Sequence, residues 1–373
     1  MDYVYRHIPE YAALGVALCL LEWIRRRNRE RGWWVNAVAG VVAVWLLIGI
    51  VVGVRDGTLP MVWMRGTALA GVVITVLMAA IEGLFRTASL VSPAFDPERR
   101  RVLSIAKSAA LAGPAAMVGY GTFIGRYQWR LQEVNVGVKG LAKDLDGLRL
   151  VQLTDFHYSP YFTAADLEYS IDMANETRAH LALMTGDLIT TRLDPLDDCI
   201  RRLARVKAEA GMLGCLGNHE VFAGCERYVQ QQGARTGMRI LRNHTETVRF
   251  GSSGICFTGV DYQPFRQPYL TEIKGLHKPG MLNVLLSHNP DVFPVAARLG
   301  YDLTVAGHTH GGQVTVEILR QYANVARFFT PYVSGLYEKD GKSVYVSRGL
   351  GTVGLPARVG APPEVTLIRL CAT

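Results

Sequence analysis

The sequence predicts a layered α/β domain preceded by an all-α transmembrane region. Three observations lead there: a charge-poor composition, long uncharged runs confined to the first third, and a change of pattern near residue 130. Of 373 residues, 49% are hydrophobic and 19% charged, against roughly 25% charged in an ordinary soluble domain. That excludes a disordered, collagen-like or coiled-coil chain, and the length favours two units. The net charge of +8 is shared as +5 over residues 1–125 and +3 over 126–373. A nucleic-acid binder needs a concentrated basic face, so the surplus reads as membrane topology and no nucleic-acid partner is expected.

Residues 33–54 form an uncharged run, and about 20 apolar residues suffice to cross a bilayer core. Residues 61–85 are a second candidate span, with Arg65 and Glu82 placed near its ends where snorkelling is cheap. Residues 108–125 are a third, with a kink expected at Pro114. Residues 8–24 are shorter and carry Glu10 and Glu22, so an amphipathic surface helix competes with a span there. Three or four helices are therefore expected over 1–125. Arg25, Arg26, Arg27, Arg29 and Arg31 crowd one connector and Arg99, Arg100 and Arg101 another. The positive-inside rule puts both in the cytoplasm, which sends everything after residue 125 to the far side of a bacterial cell membrane.

Residues 126–145 read as a connector, and residues 146–373 as the layered domain. Short apolar runs at 148–153, 181–184, 214–216, 282–286, 303–305, 343–346 and 365–370 alternate with helical stretches at 164–179 and 195–210. Such alternation argues stacked sheets and helices. The cysteines Cys19, Cys199, Cys215, Cys225, Cys256 and Cys371 show no CxxC spacing and define no disulfide scaffold.

Five segments place metal-capable side chains directly after an apolar run: Asp155 with His157, Gly186-Asp187, Gly217-Asn218-His219-Glu220, His288, and His308 with His310. In α/β sheets, ligand sites gather beyond the carboxyl ends of strands. An extended backbone would send Asp155 and His157 the same way, and likewise His308 and His310. The glycines of Gly186-Asp187, Gly217-Asn218 and Gly307-His308 are expected to make the sharp turns. Carboxylate, imidazole and carboxamide donors without thiolate suit Mn, Fe, Zn or Co. The donors are too many for one tetrahedral ion and fit two that share a carboxylate. Two metals about 3.5–4 Å apart clamp a phosphoryl group and lower the pKa of a bridging water. A histidine that is not a ligand would serve the leaving oxygen.

The run DxH…GD…GNHE…H…GHxH, with the fuller forms GNHEVFAG, LSHNPDVF, AGHTHGGQV and SRGLGTVGLPARVGAPPEVTLI, resembles the calcineurin-like metallophosphoesterase superfamily. The fuller forms are similar to its membrane-associated bacterial branch, which includes enzymes acting on phosphodiester or pyrophosphate bonds. The resemblance covers residues 130–373. It implies a four-layer α/β sandwich and two divalent ions. Asp155, His157 and His310 would hold the first, Asn218, His288 and His308 the second, and Asp187 would bridge both. His219 matches the catalytic histidine, and Glu220 stands where many members have Asp, as a carboxylate able to orient that imidazole.

The expected function is a membrane-anchored hydrolase of a phosphomonoester, phosphodiester or pyrophosphate, with a lipid-linked or envelope substrate and the bilayer as its partner. One rival is an enzyme like the UDP-diacylglucosamine pyrophosphatase of lipid A synthesis, with its domain in the cytoplasm. Another is a non-catalytic signalling protein that binds metal or phosphate. A transporter has little support, since the spans show no evident repeat or paired intramembrane charge. Asp261 reads as an ordinary loop carboxylate, and Gly311 and Gly312 as a tight turn. Tyr161, Phe162, Phe222 and Tyr262 could line a groove or simply pack.

Overall fold

The computed structural model describes residues 8–28, 37, 39–44, 61–90, 97–264, 269–318 and 321–373. The chain divides into two compact units: Met1–Ile124 with Gly354–Ala357, and Gly125–Val353 with Arg358–Thr373.

The first unit contains α1 (Ile8–Arg27), α2 (Met61–Leu90) and α3 (Pro97–Phe123). Two segments, Leu69–Ala88 and Arg101–Tyr127, are long and apolar enough to cross a membrane. The span expected at 33–54 falls outside the described residues apart from 37 and 39–44. Helix α3 continues through Pro114. Glu82 is not at a helix end as expected. Because α2 runs on to Leu90, Glu82 sits two turns inside it and is 3% exposed. Lys107 Nζ lies 2.7 Å from its carboxylate, and Asn28 Nδ2 donates to it at 3.0 Å. A paired charge thus exists among these helices, contrary to the sequence reading, and one carboxylate ties together all three.

The second unit is built on two six-stranded sheets. The first orders its strands β1 (Arg130–Val138), β14 (Glu364–Ala372), β2 (Arg149–Leu153), β3 (Leu181–Thr185), β4 (Met212–Cys215) and β5 (Met238–Ile240). The second orders β12 (Gly335–Lys339), β13 (Lys342–Val346), β9 (Leu303–Ala306), β8 (Leu282–Leu286), β7 (Ser253–Gly259) and β6 (His244–Phe250). A small hairpin joins β10 (Thr315–Ile318) to β11 (Gln321–Asn324). Strands β2 to β5 run parallel, as do β7, β8, β9 and β13. Every residue of β3 and of β8 is buried, as expected for parallel strands covered on both faces.

The inner faces meet in a core that includes Leu150, Leu183 and Leu213 from one sheet with Phe257, Val284 and Val305 from the other. The outer face of the first sheet, with Val151 and Met184, is covered by α4 (Ala164–Glu176), α5 (Leu196–Leu203) and α7 (Glu226–Arg235) through Leu167, Ile200 and Val229. Helix α8 (Phe293–Arg298) covers the second sheet, with Ala296 against Leu285 and Phe293 against Val344. The result is the expected four-layer α/β sandwich. Helix α4 starts in a capping box in which Thr163 and Asp166 satisfy each other's backbone N–H.

Residues 126–145 are more than a connector. Nine of them form β1, which pairs in parallel with β14 along its whole length. The alternation of Val134, Val136 and Val138 carried that signal, but its half-exposed faces make it weak.

Candidate metal centre

Each site residue lies just beyond the carboxyl end of a strand: Asp155 and His157 after β2, Asp187 after β3, Asn218 and His219 at the start of the short helix after β4, His288 after β8, His308 and His310 after β9. Since the parallel strands of both sheets end at the same rim, the five loops converge.

The local backbone differs from expectation. Asp155, His157, Asp187, His308 and His310 all have positive φ, between 47° and 74°. The paired side chains converge through left-handed residues, not an extended chain. Such conformations cost about 1–3 kcal/mol each and persist where the surroundings over-determine them. Of the three expected turn glycines, only Gly186 has positive φ. Gly307 is needed for close approach instead, since a Cβ there would sit 2.2 Å from Asp155 Oδ2.

Three groups of side chains place their donor atoms within 4.8 Å of one another: Asp155, His157 and His310; His157, Asp187 and His219; and Asp187, His288 and His308. Asp187 is common to two groups and His157 to two. Asp155, His157, Asp187, His288 and His310 are almost wholly buried, at 0–3% exposure. The Nε2 atoms of His157 and His310 are 3.0 Å apart, and His288 Nε2 is 3.0 Å from Asp187 Oδ2. Asn218 Oδ1 is buried without a hydrogen-bond partner, in the residue after Gly217, which abuts the Asp187 carboxylate.

The electrostatics suit cations. Burial lowers His157 and His308 to about 3 and holds His310 well below its ordinary value, so these imidazoles keep their lone pairs. Burial raises Asp155 to about 6. Burial also acts to raise Asp187, but His288 and His157 hold it well below the usual carboxylate range. Burial opposes charge on His288, yet Asp187 and Asp155 outweigh it and lift this histidine to about 10. Lone pairs crowded around buried carboxylates, with one orphaned carboxamide oxygen, are a donor set that divalent ions fit.

Two residues that sequence reasoning missed orient the histidines. Thr190 accepts from His219 Nδ1 through its carbonyl at 2.8 Å, while its hydroxyl lies 3.1 Å from His157 Nδ1. Arg358 is 1% exposed; its guanidinium donates to the carbonyls of Gly351, Ala361 and Arg348 and lies 3.3 Å from His310 Nδ1. An arginine in an apolar, Gly- and Pro-rich stretch was the available signal for it.

Glu220 requires a correction. Its carboxylate does not support the His219 imidazole. Fully buried, it accepts the N–H groups of Asp187 at 3.0 Å, Leu188 at 2.7 Å and Gly217 at 2.8 Å. It holds two site loops together, a positioning role. The aromatic residues divide as well. Tyr161 and Phe162 are buried and Phe162 packs against Trp129 and Phe156, whereas exposed Phe222 stands 5.7 Å from His219. Tyr262 lies beside His288 and His308. Asp261 is paired with Arg242.

A four-layer sandwich with His and Asp groups sharing donors at one rim defines an α/β domain with a candidate metal centre. Residues 148–312 match the calcineurin-like phosphoesterase family. An uncharacterized metallophosphoesterase of Bacillus subtilis is 28% identical over 278 residues, covering 72% of this chain and 94% of its own. A transmembrane protein with metallophosphoesterase domain from Danio rerio is 28% identical over 276 residues, covering 70% of this chain and 62% of its own. Among solved structures, phosphopantetheinyl hydrolase from Mycobacterium tuberculosis aligns with a TM-score of 0.37 at 12% identity, covering 57% of this chain and 91% of that one. The family match and these relatives support placing residues 148–312 in the calcineurin-like metallophosphoesterase superfamily.

Proposed function

We propose that the protein is a membrane-anchored phosphoric ester hydrolase using two divalent ions. The observation that carries this reading is the sharing of Asp187 between two donor groups, one with His157 and His219 and one with His288 and His308. Asp155, His157 and His310 would hold one ion, Asn218, His288 and His308 the other, and Asp187 would bridge them. When bound, such ions polarise phosphoryl oxygens and lower the pKa of water. This chain's own residues do the rest. His219, with Nδ1 engaged by Thr190, presents Nε2 to the site and, as the doubly protonated imidazolium, can hand the Nε2 proton to a leaving oxygen there. Glu220 and Arg358 fix the loops beneath. A panel of phosphomonoesters, phosphodiesters and pyrophosphates, tested with Mn, Zn and Fe and with His219→Ala as control, tests the reading; absence of metal-dependent turnover on any of them overturns it.

The two membrane-length segments support anchoring. The arginine-rich connectors support an extracytoplasmic catalytic unit at the bacterial cell membrane. A reporter active on only one side, fused after Thr373, decides the side, and a cytoplasmic signal favours the lipid A type of enzyme instead.

A further inference from the structure

The second unit buries its apolar side chains well, with a local exception. Among its described residues, five large apolar side chains are more than 60% exposed: Leu193 at 81%, Phe222 at 71%, Val325 at 66%, Phe328 at 87% and Phe329 at 72%. All five lie on loops of the metal-bearing rim. Leu193 is in the Asp187 loop, three residues beyond Thr190. Phe222 is on α6 (Asn218–Ala223), which begins at Asn218. Val325, Phe328 and Phe329 belong to a 3-10 turn at Val325–Phe328 and the residue after it.

That turn is built into the site. Asn324 Oδ1 caps it by accepting from Arg327 N at 3.0 Å. Gly312, two residues after His310, leaves room for Asn324, whose Cβ would lie 2.7 Å from any Cβ added there. Just beyond the turn, the Thr330 hydroxyl donates to Asp291 in the loop after His288, and the Thr309 hydroxyl donates to Val333 O. The phenylalanines are therefore held outward by the same loops that carry His288, His308 and His310. Exposed arginines adjoin two of these places, Arg192 before Leu193 and Arg327 before Phe328.

The chain also enters this unit at the same rim. Strand β14 is antiparallel to β2, so its first residue, Glu364, lies where β2 ends and the Asp155 loop begins. Arg130, first in β1, pairs with Glu364. Only residues 124–129 separate α3 from β1, and Arg126 and Trp129 in that stretch contact Tyr161 and Phe162 beyond His157.

Apolar side chains standing in water beside cationic ones are the composition of a bilayer-interface surface, with rings at the acyl boundary and arginines at the phosphates. We propose that the metal rim of this unit docks on a lipid surface through Leu193, Phe222, Val325, Phe328 and Phe329, and that its substrate is a phosphate ester borne by a bilayer lipid. The proposal rests on the reading of the protein as an anchored phosphoesterase and names the substrate class of that site.

The test uses the full chain in phosphatidylcholine nanodiscs, with phosphatidic acid as the lipid phosphate and an aryl phosphate as the soluble one. Phe328→Ser with Phe329→Ser should lower turnover of phosphatidic acid about ten-fold or more, through the loss of two apolar anchors, and leave the aryl phosphate unchanged. Separately, the fluorescence that Phe328→Trp adds should be quenched by brominated acyl chains. Equal loss on both substrates, no loss on either, or no quenching while the aryl phosphate is still hydrolysed overturns the docking surface and leaves the hydrolase reading intact; a protein partner would give the last of these. Quenching without turnover of either substrate by the unsubstituted protein upholds the docking surface and rejects a lipid phosphomonoester as the substrate, while the wider panel decides the hydrolase reading.

Discussion

His219 Nδ1 lies 2.8 Å from the carbonyl oxygen of Thr190. A carbonyl only accepts, so Nδ1 carries a proton and the other ring nitrogen is the one left for chemistry. Thr190 lies in the Asp187 loop, so one short segment supplies both a shared donor and the orientation of the imidazole beside it. The same imidazole comes within 4.8 Å of His157 and Asp187 donors, which makes its role separable by experiment.

His219→Ala should lower kcat by about 10²–10⁴-fold, the usual contribution of a positioned acid or base, with metal content unchanged by elemental analysis. Loss of metal in step with activity would make His219 a ligand.

Asp187→Asn should strongly lower metal content, because its carboxylate belongs to two donor groups and would bridge both ions. Titration of the stripped protein with Mn or Zn, followed by calorimetry, should show both binding events weakened. Weakening of only one would end the case for a bridge.

Glu220→Ala leaves three buried N–H groups without their acceptor. With charged hydrogen bonds contributing about 1.5–3 kcal/mol each, the variant should be at least about 3 kcal/mol less stable in thermal or denaturant unfolding. His219→Ala should show no comparable loss of stability.

The metal-stripped protein should lose stability as pH rises from 6.5 toward about 10. His288 is lifted from its ordinary value to about 10 by Asp187 and Asp155 against the opposing effect of burial. A histidine raised in the folded state contributes stability that is complete below the unfolded pKa and disappears as pH passes the folded one. A bound divalent cation takes over the compensation of those carboxylates, so Tm measured with saturating metal should be flatter across the same window. Equal slopes with and without metal would contradict this account.

Glu82→Gln or Lys107→Met should each destabilise the helical unit by about 3–5 kcal/mol, since removing one partner strands a buried charge. Changing both together should recover most of the loss. Unfolding in detergent gives the comparison.

The sequence made the metal centre legible because its donors follow apolar strand runs directly, and the type of both the strand and its exit could be read locally. The same locality explains the failures. Glu82 looked terminal because helix ends cannot be placed from hydropathy alone, and its partners Asn28 and Lys107 are distant in the chain. Glu220 was assigned to the adjacent imidazole because neighbours in sequence are easily taken for partners in space; its actual acceptor geometry depends on the loop after β3. Thr190 and Arg358 act through contacts that no spacing announces. Left-handed Asp155 and His157 escaped notice because an extended strand exit gives the same two-residue pattern. Strand β1 was overlooked since an edge strand with half-wet faces shows little contrast, and its neighbour among the described strands lies more than two hundred residues later.

That neighbour, β14, separates β1 from β2. During translation, therefore, the segment leaving the last helix has nothing to pair with until the ribosome has delivered residues 364–372. Leu350 and Gly351, whose N–H groups bind the carbonyls of Thr154 and Asp155, are also made late. A nascent chain stalled before them would present an unfinished rim, so assembly of the donor set waits on segments far along the chain.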